Sequence, residues 1–185
     1  MSAWELPKAV ELNGKQYTIN TDYRDILEII GYLNDVDKPE YIRWLIAVAL
    51  FYKDKIPKEM MQDATEAMAQ FIGENEEDDG HPHPKLIDWE QDAKAIIADV
   101  NKVAGTEIRA IPYLHWWTFL SYFRAIGEGQ LSTIVSIRSK LAKHKKLEKW
   151  EQDFYKDNRS AIDFKTKYSQ EEIEEQERIK KLLGE

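Results

Sequence analysis

Hydrophobic residues recur at helical spacing along most of this chain, and they are densest between residues 113 and 126. Within this segment, the residues three and four positions apart that share one helix face are Trp116, Phe119, Phe123 and Ile126. Because a helix that is apolar on nearly every side lies inside a protein or against a partner, we expect this segment to form the centre of the core. The predicted core residues are Trp89, Ile96, Leu114, Trp116, Trp117, Phe119, Leu120 and Phe123.

The same spacing predicts further helices on both sides of this segment. A helix capped by Thr21 or Asp22 should run to about Leu33, because hydroxyl and carboxylate oxygens accept hydrogen bonds from the first backbone amides of a helix. The aromatic segment is the fifth helix and should begin at Pro112. The pattern leaves open whether the sixth helix ends near residue 141 or continues, straight or kinked, towards Asn158. The predicted helices other than the first and fifth cover residues 40–53, 60–72, 86–103 and 131–141.

The first twenty residues predict a small β-hairpin instead of a helix. Residues 9–12 and 15–19 flank Asn13-Gly14, a dipeptide that favours a tight turn because both of its positions need a positive φ. An isolated hairpin is marginally stable in water, so it should lie on the helices that follow. The predicted fold is therefore mainly α: a single-domain helical bundle with a small N-terminal β-hairpin.

Composition divides the chain further. Residues 74–79 hold five acids in six positions, and a glycine and two prolines follow, so we expect residues 74–85 to form a mobile acidic loop. The predicted organisation is a β-hairpin at residues 1–20, a helical domain at 21–158 that contains this loop, and a charged C-terminal tail or helix at 159–185.

Charge and residue usage argue against several classes of function. The formal net charge of −8 argues against nucleic-acid binding. The chain has no cysteine, which excludes disulfides, thiolate metal sites and a cysteine nucleophile. The longest uncharged run, residues 110–123, is shorter than the roughly 20 residues that a membrane helix needs, so no membrane partner is expected.

Two groups of residues could bind a metal ion, and each has a simpler interpretation. His81 and His83 stand beside the acidic run, but they alternate with prolines in the predicted loop. Asp88, Asp92 and Asp99 share one face of the predicted fourth helix, where negative charge near the N-terminus is favourable in any case. We interpret both groups as structural or solvated, and predict no metal site and no cofactor.

His115 is the strongest catalytic candidate because it lies inside the aromatic segment. No recognised motif places a serine, cysteine or carboxylate beside it, and Thr118 and Ser121 would be its polar neighbours on one helix face. We therefore interpret His115 as a buried, hydrogen-bonded residue and predict that the protein is not an enzyme. An enzyme with His115 and the aspartates of the fourth helix in one pocket remains an alternative.

Two regions are predicted to bind partners. Methionine adapts to irregular apolar surfaces, and the third helix carries Met60, Met61 and Met68. Residues 138–149 hold six Lys or Arg and a single acid, and a tryptophan follows. The candidate binding residues of this basic region are Arg138, Lys143, Lys145, Lys146 and Trp150. Such a stretch can follow a nucleic-acid backbone, but the negative net charge favours a protein partner.

The order of these segments resembles the bacteriophage gp-fifteen family, found in tailed phages and prophages of Gram-positive bacteria. The resemblance covers about residues 15–165. Its most specific parts are DWEQD at 88–92, LHWWTF at 114–119 and the dipeptide Ile137-Arg138. No catalytic residues are associated with this family, so the resemblance implies none here.

The resemblance implies a role in building the phage tail. Proteins of this family are encoded beside the tape measure gene and are regarded as tail assembly chaperones, which coat the tape measure protein while the tail tube polymerises around it. The expected partners are the tape measure protein and the tail tube protein, with self-association or repeated copies along the tape measure. The expected location is the cytoplasm of the bacterial host, without retention in the mature virion. The alternatives are a regulatory or nucleic-acid-binding phage protein that uses residues 138–149, and a minor structural tail protein.

Overall fold

The computed structural model describes residues 4–73 and 84–165, together with Glu172, Glu174 and Arg178. Within these residues the fold is mainly α: helices form a bundle, and a two-stranded antiparallel sheet stands at its N-terminal end. This confirms the predicted fold class. The elements are β1 (Ala9–Leu12), β2 (Lys15–Thr18), α1 (Tyr23–Leu33), α2 (Glu40–Phe51), α3 (Met61–Ile72), α4 (Ala93–Ala104), α5 (Trp116–Arg124), α6 (Gln130–Ala142), α7 (Lys149–Asp157) and α8 (Arg159–Ile162).

The predicted hairpin is present, and its turn is the one that the dipeptide favours. Asn13 and Gly14 have φ values of 48° and 77°. These left-handed conformations match the twist of two antiparallel strands joined by a two-residue turn. The strands pair Val10 with Tyr17, and both side chains are buried against the helices. The hairpin thus contributes to the core instead of standing free.

The core is centred on α5, where aromatic rings from α1, from α5 and from the segment before α4 meet. The rings of Tyr23 and Phe119 stack at 4.9 Å, and those of Trp116 and Phe119 stack at 5.5 Å. Trp89 packs at 5.0 Å from Phe123. Offset aromatic pairs of this kind contribute about 0.5–1.5 kcal/mol each beyond the area that they bury. The other predicted core residues that are buried are Ile96, Leu114, Trp117 and Leu120, and Trp89 and Phe123 are partly buried against them.

Helix α4 begins at Ala93, and the prediction of a start at residue 86 is wrong. The Oδ1 atom of Asp88 accepts hydrogen bonds from the backbone amides of Glu90 (3.1 Å) and Gln91 (2.9 Å). Aspartate often closes such local turns, which compete with helix formation. The residues before Ala93 are therefore a turn that holds Trp89 against α5.

Helix α5 begins at Trp116, later than the predicted start at Pro112. His115 is the N-cap: its backbone is extended, and its Nδ1 accepts a hydrogen bond of 3.1 Å from the amide of Trp117. Histidine thus supplies the acceptor that serine or aspartate usually provides at this position. The preceding residues instead pack against α1, where the Tyr23 amide donates to the Leu114 carbonyl.

Helix α6 ends at Ala142 and does not continue into α7. His144 adopts a left-handed conformation with φ 51°, and the amide of Lys145 donates to the carbonyl of Lys140 over 2.8 Å. This is the usual way in which a helix is closed at its C-terminus, although glycine is the commoner residue there. Further along, Ile162 is buried in the core, so residues 159–165 belong to the bundle and not to a separate tail.

Other sequence predictions fall outside the described residues. The acidic loop predicted at 74–85 is described only at positions 84 and 85, so His81 and His83 have no structural account. The same holds for residues 166–185, apart from the three named above.

Candidate protein-binding groove

Helix α2 is apolar on nearly every side, but the bundle covers only one of them. Ala47, Val48 and Phe51 are buried, whereas Tyr41 is 67% exposed and Leu45 is 48% exposed. A helix that faced only the core and water would carry polar residues on its outer side. The exposed apolar side of α2 is therefore a candidate surface for contact with another polypeptide.

This exposed side of α2 and the first turns of α3 form a groove, which we call the α2–α3 groove. Leu45 and Met61 lie at its middle and line a cavity on either side of them. The cavity of about 470 Å³ is also lined by Tyr41, Trp44, Gln62, Thr65 and Glu66. The cavity of about 330 Å³ is also lined by Val48, Ala49, Tyr52, Lys53, Asp54, Lys55 and Ile56. Apolar side chains thus form most of the floor along the whole groove.

Charged residues stand only at the ends of the α2–α3 groove. Lys53, Asp54 and Lys55 are exposed at one end, where the charges are therefore mixed. At the other end Gln62 donates a hydrogen bond of 3.1 Å to Glu66. An apolar floor with polar ends suits an amphipathic helix or a short apolar segment, which buries its own hydrophobic residues in such a groove. Within the residues that the structure describes, no group of His, Cys, Asp or Glu could hold a metal ion.

The three methionines predicted to bind a partner have different environments. Met61 is half-buried and lines the groove. Met60 is half-buried and receives a contact of 3.6 Å from the Tyr17 hydroxyl. Met68 is completely buried, because it lies on the face of α3 that packs into the core. The prediction that Met68 contributes to an accessible surface is therefore wrong.

Arg138 is also buried, against the prediction that it belongs to a basic binding surface. Its guanidinium makes a bidentate ion pair with Asp92, with N–O distances of 2.6 Å and 2.9 Å. It also donates to the backbone carbonyls of Ile162 (2.7 Å), Leu86 (2.9 Å) and Ala161 (2.8 Å). Arg138 therefore joins α6 to the segment before α4 and to α8, and has no donor left for a partner.

The other predicted basic residues are exposed, but they lie elsewhere. Lys143, Lys145 and Lys146 are exposed where α6 ends, and Trp150 is exposed at the start of α7. None of them lines the α2–α3 groove. The structure therefore separates the two regions that the sequence proposed as binding surfaces.

The candidate catalytic residues each make separate structural contacts in the described part of the chain. His115 is buried, its Nδ1 accepts from Trp117, and its Nε2 donates over 2.9 Å to the carbonyl of Pro7. Asp92 is occupied by Arg138, and Asp99 accepts a hydrogen bond of 2.9 Å from the amide of Leu131 at the start of α6. Each of these side chains thus holds two chain segments together.

Asp88 also has a structural role. Burial alone would raise the pKa of its carboxyl, but hydrogen bonds from the Gln91 amide and the Lys85 ammonium outweigh that effect and lower the pKa to about 2. A carboxyl that stays ionised down to such low pH is a poor proton donor and a weak base. It serves instead as a fixed acceptor for the turn before α4.

A cleft of about 570 Å³ beside the C-terminal end of α1 is the main alternative site. It is lined by Glu28, Asp35, Asp37 and Glu90, among other residues. Asp35 pairs with Lys38, whose hydrogen bond lowers the pKa of Asp35. Acidic residues at an open surface are commonly solvated, so we take the α2–α3 groove as the candidate site.

The sequence interpretation missed the groove residues Tyr41, Trp44 and Leu45. Because the run WLIAVALFY at 44–52 is uncharged, the sequence predicts that it is buried on most sides. The signal that could have found them is the same apolar character, because a helix with this pattern can lie against a partner as well as inside a core.

Comparison with known proteins identifies the family. A search of curated proteins and one of solved structures find no match. The family model described as Bacteriophage Gp15 protein matches residues 4–164. This range includes the hairpin and all the helices described above. In the described part of the chain, no helix has both the length and the apolar character needed to cross a membrane. Since the match covers most of the chain, this protein belongs to the bacteriophage Gp15 protein family.

Proposed function

We propose that this phage protein is a non-catalytic tail assembly chaperone that holds the tape measure protein in the α2–α3 groove. The observation that carries the proposal is the exposed apolar face of α2. Tyr41 and Leu45 are large hydrophobic residues of the kind usually found in a core, and here both are exposed to solvent. Family membership supports a role in a phage, and the groove supplies an apolar surface that could bind the client.

The groove fits the chemistry of the proposed client. The proposed client, a tape measure protein, is expected to be a long, largely helical and aggregation-prone chain that carries apolar stripes. Such a stripe presents residues at spacings of three, four and seven, and these would lie along the floor on both sides of Leu45 and Met61. Met61 can adapt its conformation to different apolar residues, so one groove could accept many segments of the client.

The charge of the protein suits a carrier that must later release its client. A formal net charge of −8 would keep a complex with an aggregation-prone chain in solution. The groove is short and open, so its contacts are of the modest size typical of transient complexes. Tail tube protein, the second proposed partner, could then displace the chaperone as the tube grows. We accordingly propose that the protein acts in the host cytoplasm and is absent from the mature virion.

Co-expression with the adjacent tape measure product tests this function. The wild-type chain is expected to keep the tape measure product in the soluble fraction. Leu45→Asp is expected to weaken binding by at least about tenfold, because it places a charge at the centre of the apolar contact. Since Leu45 is already half-exposed, the fold should persist.

Val36→Asp is the matched control, because Val36 is exposed to a similar extent but lies outside the α2–α3 groove. It should keep the tape measure product soluble as the wild type does. Equal loss of solubility with both variants, or no loss with Leu45→Asp, would contradict the proposed site.

A further inference from the structure

The connection between α6 and α7 is a basic surface. Its exposed lysines are Lys143, Lys145, Lys146 and Lys149. Among the described residues, none of these four lysines makes an ion pair. The earlier Lys140 differs from them, because its ammonium lies 2.6 Å from the carboxylate of the buried Glu151. We call residues 143–150 the basic turn.

The basic turn also carries a large aromatic residue. Trp150 is 54% exposed, and its indole N–H donates a hydrogen bond of 3.0 Å to Glu148. Asp153 lies one turn later on α7 and is exposed. Four lysines against these two acids leave the surface with a net charge of +2. Positive charge around a half-exposed tryptophan suits a partner surface that is acidic at its rim and apolar at its floor.

A surface of this kind lies beside α1 of the same chain. The cleft of about 570 Å³ at the C-terminal end of α1 continues into a cavity of about 600 Å³ between α1 and residues 85–90. Both are lined by Gly31, which has no side chain to cover the floor. The larger apolar residues of the lining are Leu27, Ile30, Val36, Ile87 and Trp89. We call the two cavities together the α1 cleft.

The α1 cleft is negatively charged when every charged group around it is counted. Its charged lining residues are Glu28, Asp35, Asp37, Asp88, Glu90 and Lys85. Beside them stand Lys38, whose hydrogen bond lowers the pKa of Asp35, and Arg43, which contributes weakly to the same shift. Five acids against three cations leave a net charge of −2. Asp37 and Glu90 have interactions of their own, so the net charge, and not a vacant carboxylate, favours a basic partner.

The basic turn and the α1 cleft lie on neighbouring sides of one chain, and residues 85–90 connect them. Trp89 lines the cleft, whereas the carbonyl of Leu86 accepts a hydrogen bond of 2.9 Å from Arg138 near the end of α6. Two copies related by a two-fold axis could therefore place each basic turn over the other copy's cleft. In such an isologous interface every contact is made twice.

We propose that two copies of this chain form a two-fold dimer in which the basic turn of each copy docks over the α1 cleft of the other. Trp150 would contact the apolar floor near Gly31, and the lysines would face the acidic rim. Neither surface includes a residue that lines the α2–α3 groove. The proposal therefore goes beyond the chaperone function and does not depend on it.

Sedimentation velocity of the full chain over a range of concentrations tests the dimer. The mass of the wild type is expected to rise from the monomer value of 21.7 kDa to twice that value, and no further. Raising the ionic strength from about 0.1 M to about 1 M shortens the screening length from about 10 Å to about 3 Å, so it should shift the equilibrium towards monomer.

Reversing the charge of either surface should break the dimer. Lys145→Glu with Lys146→Glu changes the basic turn from +2 to −2, and Glu28→Lys with Glu90→Lys changes the α1 cleft from −2 to +2. Each double variant then places like charges against each other, and its dimer should be weaker by at least about tenfold. In an equimolar mixture both contacts become attractive again, so a mixed dimer should form although each variant alone stays monomeric.

Two further variants separate this interface from effects of overall charge. Lys8→Glu with Lys58→Glu makes the same change in net charge at exposed positions outside both surfaces, and should associate like the wild type. Gly31→Gln adds no charge but obstructs the α1 cleft, so it should weaken the dimer. The fold should accept it, because a Cβ atom at Gly31 would meet no other atom within 4 Å.

A monomeric wild type, association that ignores either charge reversal, or a mixture that stays monomeric would overturn the proposal. Circular dichroism of each variant checks that it is folded, and formation of the mixed dimer requires both variants to be folded. Because these samples contain no client, their outcome leaves the chaperone function to its own test.

Discussion

Arg138→Met is expected to lower the free energy of unfolding by about 5 kcal/mol, which is comparable to the whole stability of many domains. Methionine keeps much of the volume of the arginine side chain but none of its donors. The buried Asp92 carboxylate would lose its bidentate partner, and the carbonyls of Ile162, Leu86 and Ala161 would lose theirs. Each buried polar group left without a partner costs about 1–3 kcal/mol.

The position of this ion pair in the fold explains its large expected contribution to the free energy of unfolding. Arg138 lies on α6, Asp92 precedes α4, and the guanidinium packs 4.0 Å from the ring of Phe164 after α8. Three segments that are distant in the sequence therefore meet at one side chain. Asp92→Ala should cost less, about 3–4 kcal/mol, because Arg138 would keep its three backbone acceptors.

Chemical denaturation with urea, followed by circular dichroism, measures both effects. Asp153→Ala is the control for Asp92→Ala, since it removes the same charge from an exposed position on α7 and should change stability by no more than about 0.5 kcal/mol. If Arg138→Met were as stable as the control, the buried ion pair would have no structural role.

Leu120→Asp is expected to destabilise the fold by at least about 4 kcal/mol and to leave little folded protein at 37 °C. Leu120 is buried on α5, the helix around which the aromatic residues of the core pack. An aspartate at this position would place a charge among apolar side chains, and burying an unpaired charge costs several kcal/mol.

The neighbouring position supplies the control for this substitution. Ser121 is exposed on the same helix, so Ser121→Asp adds the same charge to solvent and should cost about 1 kcal/mol or less. A thermal unfolding curve for each variant checks the comparison. Unfolding of both variants at the same temperature would show that Leu120 does not face the core.

The parts of the fold that depend on local sequence could be predicted. Asn13-Gly14 specifies its turn because of backbone conformation alone, and the spacing of apolar residues locates most helices because it reflects helix geometry. Helix ends were predicted less well. Asp88 closes a turn through its own side chain, and His115 acts as an N-cap. The spacing of apolar residues does not indicate such hydrogen bonds between a side chain and the backbone.

The burial of Arg138 could not be predicted from the sequence, for a different reason. Arg138 stands at the start of a basic run, and its charge suggested a place on the surface. Its burial depends on Asp92, which is 46 positions away, and on carbonyls from two other segments. Only the tertiary structure brings these partners together, so the spacing of residues along the sequence does not reveal the pair.

The candidate binding groove could be predicted only in part. The apolar character of α2 was evident, but the sequence does not say which of its faces the bundle covers. The structure covers the face with Val48 and Phe51 and leaves Tyr41 and Leu45 open. A hydrophobic residue on the covered face of α2 stabilises the fold, whereas one on the exposed face is available to bind a partner.

The most direct test of the groove as a client-binding site is photo-crosslinking during tail assembly. Tyr41, which is exposed in the groove, is replaced by p-benzoylphenylalanine, and Tyr113, which is exposed outside it, is replaced in a control. After irradiation of infected or induced cells, we expect a crosslink from position 41 to the tape measure protein and none from position 113. Absence of tape measure protein from the position 41 adducts, or equal crosslinking at both positions, would contradict it.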